Sequence, residues 1–335
     1  MTTPARGERE GPRFGLYVPQ FRMDFTQVRD LAVTADAYGF DSLWVMDHLL
    51  VPGAAPTDVL ESWTLLSALA TATERIRLGH LVGCNPLRPP ALLAKMAATL
   101  DRISGGRFDL GLGWGSVTDE LTAFGYPPRD NARRAAELAE TLEICAKMWT
   151  GEPFDHDGPA YTLRGAYGLP TPVQGRIPVH IGGAGRRLTM PLVSRHADWW
   201  NCLGSARHRL DELAPLRGGA RISAQYAVGL VAPGEDPGKV AAQVARRMPR
   251  ESWGEPLVGT PDRLAELFCQ EWERGVELFV VRLHAPRSAE AVAHFAFAVA
   301  AEVRARTGYA AAPRTRAPAP GERVSIPNDP GTRRT

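Results

Sequence analysis

The stretch GGRFDLGLGWGSVTDELTAFGYPP, residues 105–128, decides the fold and places a carboxylate close to a strand end. The run RFDLGL after the glycine pair is short and apolar, which is typical of a buried strand. Gly111, Gly113 and Gly115 remove side chains where that strand ends, so the backbone can turn tightly or a flat molecule can lie against it. Glu120 follows on the first turn of a short helix, a position where acids are common.

The same alternation of strand and helix continues through the chain. Apolar runs of strand length are followed by segments whose apolar residues recur at helical spacing. The predicted strands are residues 13–18, 42–46, 76–82, 107–112, 178–181, 198–202, 221–231 and 278–283. The main predicted helices are residues 25–38, 60–72, 91–103, 131–149, 186–195, 206–216, 238–248, 262–274 and 289–305. Eight such strands predict an α/β fold of the (β/α)8 TIM-barrel type. An open doubly wound sheet is the alternative, but no GxGxxG fingerprint follows the first strand.

The predicted organisation is one TIM-barrel domain, residues 13–308, since 335 residues suit a single barrel. Residues 1–12 are predicted to be a frayed N-terminus, and residues 309–335 a disordered tail rich in Pro and Arg. Residues 150–176 interrupt the alternation after the fourth helix. They are rich in Gly, Pro and Tyr, and we expect an inserted segment that covers a site.

Composition argues against several classes of protein. A formal net charge of +2 without a long Lys/Arg block does not suggest nucleic-acid binding. No apolar run reaches membrane-spanning length, and no signal peptide is apparent. The four cysteines are far apart and form no CxxC pair, so we expect free thiols in the cytoplasm. No spacing of histidines and acids predicts a metal site; His80 and His180 fall inside strands, whereas His156 is predicted to lie at the surface.

Candidate catalytic residues are sought at the carboxyl ends of the strands, where parallel barrels place their sites. His48 follows the second strand, and an imidazole can take up or release a proton near neutral pH. The neighbouring Asp47 could orient that ring, or it could cap the following turn. Glu120 also has two possible roles: it is either an acid at the start of a helix or a proton donor.

The turn after the fifth strand, IGGAGRR, is the second candidate element. Gly182, Gly183, Ala184 and Gly185 would present free backbone N–H groups at the start of a helix, which attract anions, and Arg186 would add positive charge. The same pattern also suits a tight turn with a solvated arginine pair. We expect this turn and His48 to lie at the same mouth of the barrel.

At these residues the chain resembles the bacterial luciferase-like superfamily and, within it, the deazaflavin (coenzyme F-420)-dependent oxidoreductases of actinobacteria. The matching segments include FGLYVPQF, GFDSLWVMDHLL, RIRLGHLVGCNPLRPP, GGRFDLGLGWG, PVHIGGAGRRL and HADWWN. One departure is that relatives usually carry an aromatic residue after GLGxG, where Ser116 stands here and Trp114 comes two residues earlier.

The resemblance implies roles for individual residues. His48 would act on the substrate proton near the reactive carbon of the cofactor, and Glu120 would be a second acid or a positioning group. Leu81 and Val82 match a bulge behind the flavin ring, commonly with a non-proline cis peptide. The other implied cofactor-binding residues are Asp47, Cys84, Asn201, Arg186 and the phosphate turn Gly182, Gly183, Ala184 and Gly185.

The resemblance also implies a reaction class. A deazaflavin transfers hydride, to an activated C=C or C=N bond or from an alcohol, and the protein supplies or accepts one proton. The alternatives are an FMN-dependent luciferase-like monooxygenase that uses oxygen, and, from another class, a non-catalytic barrel that serves as a binding protein. Relatives often form homodimers through outer helices, so a homodimer acting on a small molecule is expected.

Overall fold

The computed structural model describes residues 9–285 and 287–309, and these form a closed parallel barrel with helices outside. The strands are β1 (Arg13–Tyr17), β2 (Ser42–Val45), β3 (Arg77–His80), β4 (Gly83–Cys84), β5 (Phe108–Gly113), β6 (Phe154–Asp157), β7 (Thr162–Ala166), β8 (Val179–Gly182), β9 (Trp199–Cys202), β10 (Arg221–Leu230), β11 (Leu257–Gly259) and β12 (Val276–Leu283). The barrel order is β1-β2-β3-β5-β8-β9-β10-β12, and β12 pairs with β1 to close it. The predicted TIM barrel is confirmed.

The helices follow the barrel strands in the predicted alternation. They are α1 (Phe25–Ala37), α2 (Ser62–Ala72), α3 (Pro90–Ile103), α4 (Thr118–Ala123), α5 (Asn131–Met148), α6 (Thr189–His196), α7 (Leu210–Leu213), α8 (Pro237–Arg247), α9 (Arg250–Trp253), α10 (Pro261–Glu273), α11 (Ala289–Phe295) and α12 (Ala301–Arg306). The helix predicted over 186–195 begins later, at α6, because residues 186–188 form a turn before it. Within the described residues no helix combines the length and apolarity needed to cross a membrane.

The inside of the barrel is filled by a large aromatic side chain opposite two glycines. Trp44 on β2 is fully buried, and its indole N–H donates to Ser42 at 2.8 Å. A Cβ atom on Gly15 would come within 2.6 Å of the Trp44 ring, and one on Gly79 within 2.5 Å. Both glycines lie on strands paired with β2. The alternation of one large and two absent side chains therefore lets this layer pack at normal density.

The predicted insertion contains an antiparallel hairpin of β6 and β7, which is tied to the barrel through α5. Glu140 on α5 accepts hydrogen bonds from the backbone N–H groups of Ala160 and Tyr161, at 3.0 and 3.1 Å. It also lies 3.2 Å from the His156 ring. The prediction of a surface position for His156 was wrong, because this contact buries it in the angle between hairpin and helix.

The two ends of the described chain meet at the barrel. Arg9 donates to the carbonyl oxygen of Trp272 at 2.7 Å, and Tyr309 donates to that of Arg9 at 2.7 Å. Residues 9–12, expected to fray, are thus held in the fold where they are described. The rest of the predicted frayed N-terminus, and residues 310–335 of the predicted tail, lie outside the described residues.

His80 on β3 is a fully buried imidazole whose two ring nitrogens have no hydrogen-bond partner among the described groups. Burial lowers its pKa to about 4, although the negative charge of Asp47 partly opposes this. The unfolded chain binds the proton near pH 6.5 and the folded chain does not. The free energy of unfolding should therefore fall by about 3 kcal/mol between pH 6.5 and 4 through this residue alone.

We expect His80→Phe to flatten this part of the stability profile, because the apolar ring fits beside Trp63 and binds no proton. Urea unfolding at pH 7 and pH 4 measures the difference. His208→Gln, at an exposed position, is the control and should keep the wild-type slope. An unchanged slope in His80→Phe would show that His80 is protonated equally in both states.

Candidate functional site

A cavity of about 310 Å³ opens at the carboxyl ends of the barrel strands. Its volume is within the range of small-molecule sites. Its wall is mostly backbone, since glycines supply much of it, with a few polar side chains. The lining residues are His48, Leu81, Val82, Gly83, Cys84, Gly113, Trp114, Gly115, Ser116, Val117, Glu120, Gly182, Gly183, Ala184, Gly185, Thr189, Leu203 and Gln225. The two candidate elements of the sequence, His48 and the 182–185 turn, therefore share one cavity.

A hydrogen bond joins the two candidate catalytic side chains. The Nδ1 atom of His48 lies 2.7 Å from Oε2 of Glu120, whose side chain is 1% exposed. The other oxygen, Oε1, accepts the backbone N–H groups of Leu49 and Leu50 at 2.5 and 3.3 Å. Glu120 is thus a positioning group that fixes the imidazole and the loop after β2. Nε2 of His48 has no partner among the described residues and is the nitrogen free to exchange a proton.

Asp47 neither orients the His48 ring nor caps the turn that follows it. It does not contact the His48 ring; instead it accepts hydrogen bonds from Ser62 at 2.6 Å and from the Cys84 N–H at 2.9 Å. Arg88 adds a two-pronged ion pair at 2.7 and 3.0 Å. Burial opposes ionisation, but these partners lower the pKa of Asp47 below its ordinary value. Asp47 lies behind the cavity wall and ties the end of β2 to the start of α2 and to the end of β4.

The segment after β3 forms one face of the cavity, and the peptide bond between Leu81 and Val82 is cis. The Val82 side chain points back into the barrel, between glycines of two neighbouring strands. A Cβ atom on Gly113 would lie 2.8 Å from Val82, and so would one on Gly182. A Cβ on Gly111 would meet the carbonyl oxygen of His80 at 1.8 Å. These glycines therefore make room for the bulge that forms one face of the cavity.

Cys84 lines the same face, with little exposure of its side chain. Burial raises the pKa of its thiol to about 12, and the negative charges of Asp47 and Glu120 act in the same direction. The group is therefore a protonated thiol at neutral pH, and it contributes shape and polarisability to the wall.

The glycine turn after β8 lines the opposite side of the cavity. Thr189, the first residue of α6, lies against Gly183 and Gly185 and accepts a hydrogen bond from the Trp114 indole at 3.3 Å. Arg186 does not line the cavity: it is exposed, and its guanidinium lies 3.6 Å from Glu212. The turn thus offers backbone N–H groups, whereas the positive charge expected from Arg186 is directed elsewhere.

Asn201 on β9 is fully buried one layer below the cavity and does not line it. Its amide oxygen accepts a hydrogen bond from Gln225 at 2.9 Å, and its amide nitrogen donates to Ser223 at 3.0 Å. Gln225 on β10 reaches the cavity in its place. Asn201 therefore fixes the orientation of the Gln225 amide.

Sequence reasoning missed Gln225, Trp114 and Thr189. Gln225 had a signal, because Ser223 and Gln225 alternate with apolar residues on one strand and so share its inward face. Trp114 and Thr189 had none, since their meeting depends on how two separate turns pack. Among the described residues there is also no group of three or more His, Cys, Asp or Glu side chains that could hold a metal ion.

A parallel barrel whose strand ends hold an oriented imidazole above a glycine-walled cavity defines a TIM-barrel enzyme scaffold. A family model described as luciferase-like monooxygenase matches residues 4–227. The chain belongs to this family of oxidoreductases, as the sequence resemblance predicted.

The curated sequence relatives include a pyrimidine monooxygenase and an F420-dependent dehydrogenase. The F420-dependent glucose-6-phosphate dehydrogenase of Nocardia farcinica is 36% identical over 177 residues, covering 50% of this chain and 49% of that protein. The chain spans between 49% and 64% of the lengths of the first curated relatives that it matches.

Solved structures share the fold at low identity. An F420-dependent secondary alcohol dehydrogenase, in complex with an F420-acetone adduct, superimposes with a TM-score of 0.75 at 18% identity, covering 88% of this chain and 99% of that chain. A riboflavin lyase with modified FMN has the same TM-score and identity, covering 92% and 94%. Solved structures with this barrel fold therefore include one with an F420 adduct and one with modified FMN.

Replacing the buried carboxylate tests the positioning role of Glu120. In Glu120→Gln the amide nitrogen can only donate. If it faces His48, the ring must take the Nε2–H tautomer, and if the amide is turned over, the Leu49 and Leu50 N–H groups lose their acceptor. We expect a loss of about 1–3 kcal/mol in the free energy of unfolding. We also expect the ¹⁵N NMR signals of His48 to show a mixture of tautomers. Asp119→Asn, on the exposed side of the same helix turn, should change neither measurement. A single unchanged tautomer in Glu120→Gln would contradict the assignment.

Proposed function

We propose that this protein is a deazaflavin-dependent oxidoreductase, which transfers hydride between coenzyme F-420 and a small organic substrate. The observation that carries the proposal is the buried Glu120 that presents His48 Nε2 to a cavity walled largely by glycines. Such a site has one free proton-exchanging nitrogen, and the Glu120 carboxylate holds the other side of the same ring, which suits hydride transfer coupled to a single proton transfer.

The residues present fit a planar tricyclic cofactor. The Leu81–Val82 face is apolar. In the glycine turn the Gly183 N–H donates to the Asn201 carbonyl oxygen at 3.2 Å, whereas the N–H groups of Ala184 and Gly185 have no acceptor among the described residues. Leu81, Val82 and Cys84 would support one face of the ring, Gln225 would contact its polar edge, and the glycine turn would hold a phosphate. When bound, a deazaflavin supplies a hydride donor or acceptor carbon.

The chain's own part in the reaction is to orient the substrate and to move one proton. His48 Nε2 donates the proton when a C=C or C=N bond is reduced, and it accepts the proton when an alcohol is oxidised. Glu120 holds the ring through Nδ1, so Nε2 stays directed at the substrate throughout.

Cofactor titration tests the proposal. Fluorescence titration of the purified protein should show binding of F-420 at least about tenfold tighter than binding of FMN. Tighter binding of FMN, followed by oxygen-dependent turnover, would identify a monooxygenase instead and refute the proposal. Binding of neither cofactor would favour a non-catalytic barrel.

His48→Ala should lower turnover by about 100-fold or more, because the proton transfer loses its positioned group. Its affinity for F-420 should stay within about threefold of the wild type, since the cofactor is held by the glycine turn. Stopped-flow deazaflavin absorbance with secondary alcohols and activated alkenes gives both values. His208→Ala is the control. A collapse of cofactor binding with turnover preserved at saturation would refute the assigned role.

We further propose that the protein is a homodimer and that it works in the cytoplasm, where its four free cysteines stay reduced. Exposed apolar side chains support the dimer, because they cluster where α3 meets the segment after β7: Leu92, Ile103, Tyr167, Leu169 and Val173. Lys95 and Arg102 of α3 donate to Leu169 and Thr171, which places the two elements side by side.

Leu169→Asp combined with Val173→Asp should convert a dimer into a monomer, since each acid would be buried unpaired in the interface. Sedimentation velocity gives the mass of each form. Phe297→Ser is the control, because Phe297 is also exposed and apolar but is distant in sequence from Leu169 and Val173. A monomeric wild type, or an unaffected double variant, would refute this interface.

A further inference from the structure

A second cavity, of about 640 Å³, lies at the same end of the barrel beside β1 and β12. Its lining contains five arginines and one histidine, and within the described part of the chain it contains no acid. The charged and polar lining residues are Arg22, Arg246, Arg247, Arg282, His284, Arg287 and Ser288. Like charges at this density repel each other unless an anion lies between them.

None of the five guanidinium groups forms an ion pair with a carboxylate among the described residues. Two of them are instead held by backbone carbonyls: Arg247 donates to His284, and Arg287 donates to Arg22. Burial lowers the pKa of His284, and the negative charge of the Glu235 carboxylate, which lies outside the lining, partly opposes this. That carboxylate accepts a hydrogen bond from the Ala232 N–H. Arg246 and Arg247 close the last turn of α8, where cations complement the helix dipole. That effect does not account for Arg282.

Arg282 is the floor of this cavity. Leu278 and Val280 on β12 pack inside the barrel, so Arg282, two residues further on, points into the barrel mouth. Its guanidinium lies 5.1 Å from the Trp253 ring and 5.8 Å from the Phe21 ring. It has no hydrogen-bond acceptor among the described groups, although the surrounding residues partly bury it. Burial lowers its pKa, so the charge is held here at a cost.

The two cavities open at the same end of the barrel and are lined by different residues, but one apolar cluster packs behind both. The apolar cluster that contains Trp253 and Phe21 also contains Leu81 and Val82, which form one face of the first cavity. A molecule with its reacting carbon near His48 therefore has a cationic pocket within the same barrel mouth.

We propose that the Arg282 cavity binds a multiply charged anionic group of the substrate, of the phosphate-ester class. Arg282 binds this group at the floor, and Arg22, Arg246, Arg247 and Arg287 surround it at the rim. The guanidinium fork matches phosphate oxygens in pairs, and the aromatic faces of Trp253 and Phe21 keep the fork in place. The assignment of this anion to a substrate of hydride transfer rests on the proposed function. The presence of an anion site at Arg282 does not depend on it.

The first experiment uses inorganic phosphate and pyrophosphate as probes of the protein without cofactor. Titration at constant ionic strength should change the tryptophan fluorescence saturably, because Trp253 lies against Arg282. Arg282→Gln should weaken binding by about tenfold or more, and the exposed rim variant Arg287→Gln by a smaller factor. Arg164→Gln, an equal change of charge on the β6–β7 hairpin, should bind as the wild type does. Lack of saturable binding, or equal binding by the Arg282 and Arg287 variants, would overturn the proposal.

The second experiment separates substrate from cofactor. Phosphorylated alcohols should exceed their unphosphorylated counterparts in kcat/KM by about tenfold, and Arg282→Gln should abolish this preference through KM. Its affinity for F-420 should be unchanged; a parallel loss of F-420 affinity would assign the cavity to the cofactor and overturn the proposal. Phosphate binding at Arg282 in a protein that binds no F-420 would support the anion site and refute the proposed cofactor.

Discussion

A buried carboxylate determines how the site is arranged. Glu120 is almost fully enclosed, and an enclosed charge persists only when each oxygen has donors. Those donors come from one loop: the His48 ring and the backbone of Leu49 and Leu50. The loop after β2 and the short helix α4 therefore cannot move independently of each other. The direction of the imidazole follows from this constraint, because Nδ1 is occupied and Nε2 is left for the cavity.

Beneath the site, missing side chains decide the shape as much as those present. Gly15 and Gly79 admit the Trp44 ring, while Gly113 and Gly182 admit Val82. Each of these glycines lies on a strand next to the residue it accommodates, so the barrel closes around a few large side chains. The Val82 face of the cavity is thus a product of core packing. This explains why the site has so few polar groups: most of its wall belongs to the interior of the barrel.

The alternation of apolar runs was enough to predict the eight barrel strands, because each is buried on both sides and bounded by turn residues. His48 and Glu120 were found because each is a polar residue that soon follows the carboxyl end of a predicted strand. Their pairing was not predictable, since it depends on how α4 lies on the barrel. Asp47 was misread because its partners, Ser62 and Arg88, are distant in sequence. Arg186 and Asn201 were placed in the cavity, but side-chain direction, which sequence does not encode locally, turns Arg186 to Glu212 and Asn201 to Ser223.

The protonated state of Cys84 has a chemical consequence for the cavity wall. Electrophiles such as activated alkenes add to thiolates, so a thiolate at this position would be open to alkylation by any such molecule that entered the cavity. With a thiol pKa of about 12, the anion is nearly absent at neutral pH. The carboxylates of Asp47 and Glu120, which build the site, also suppress ionisation of this sulfur and so make it a poor nucleophile.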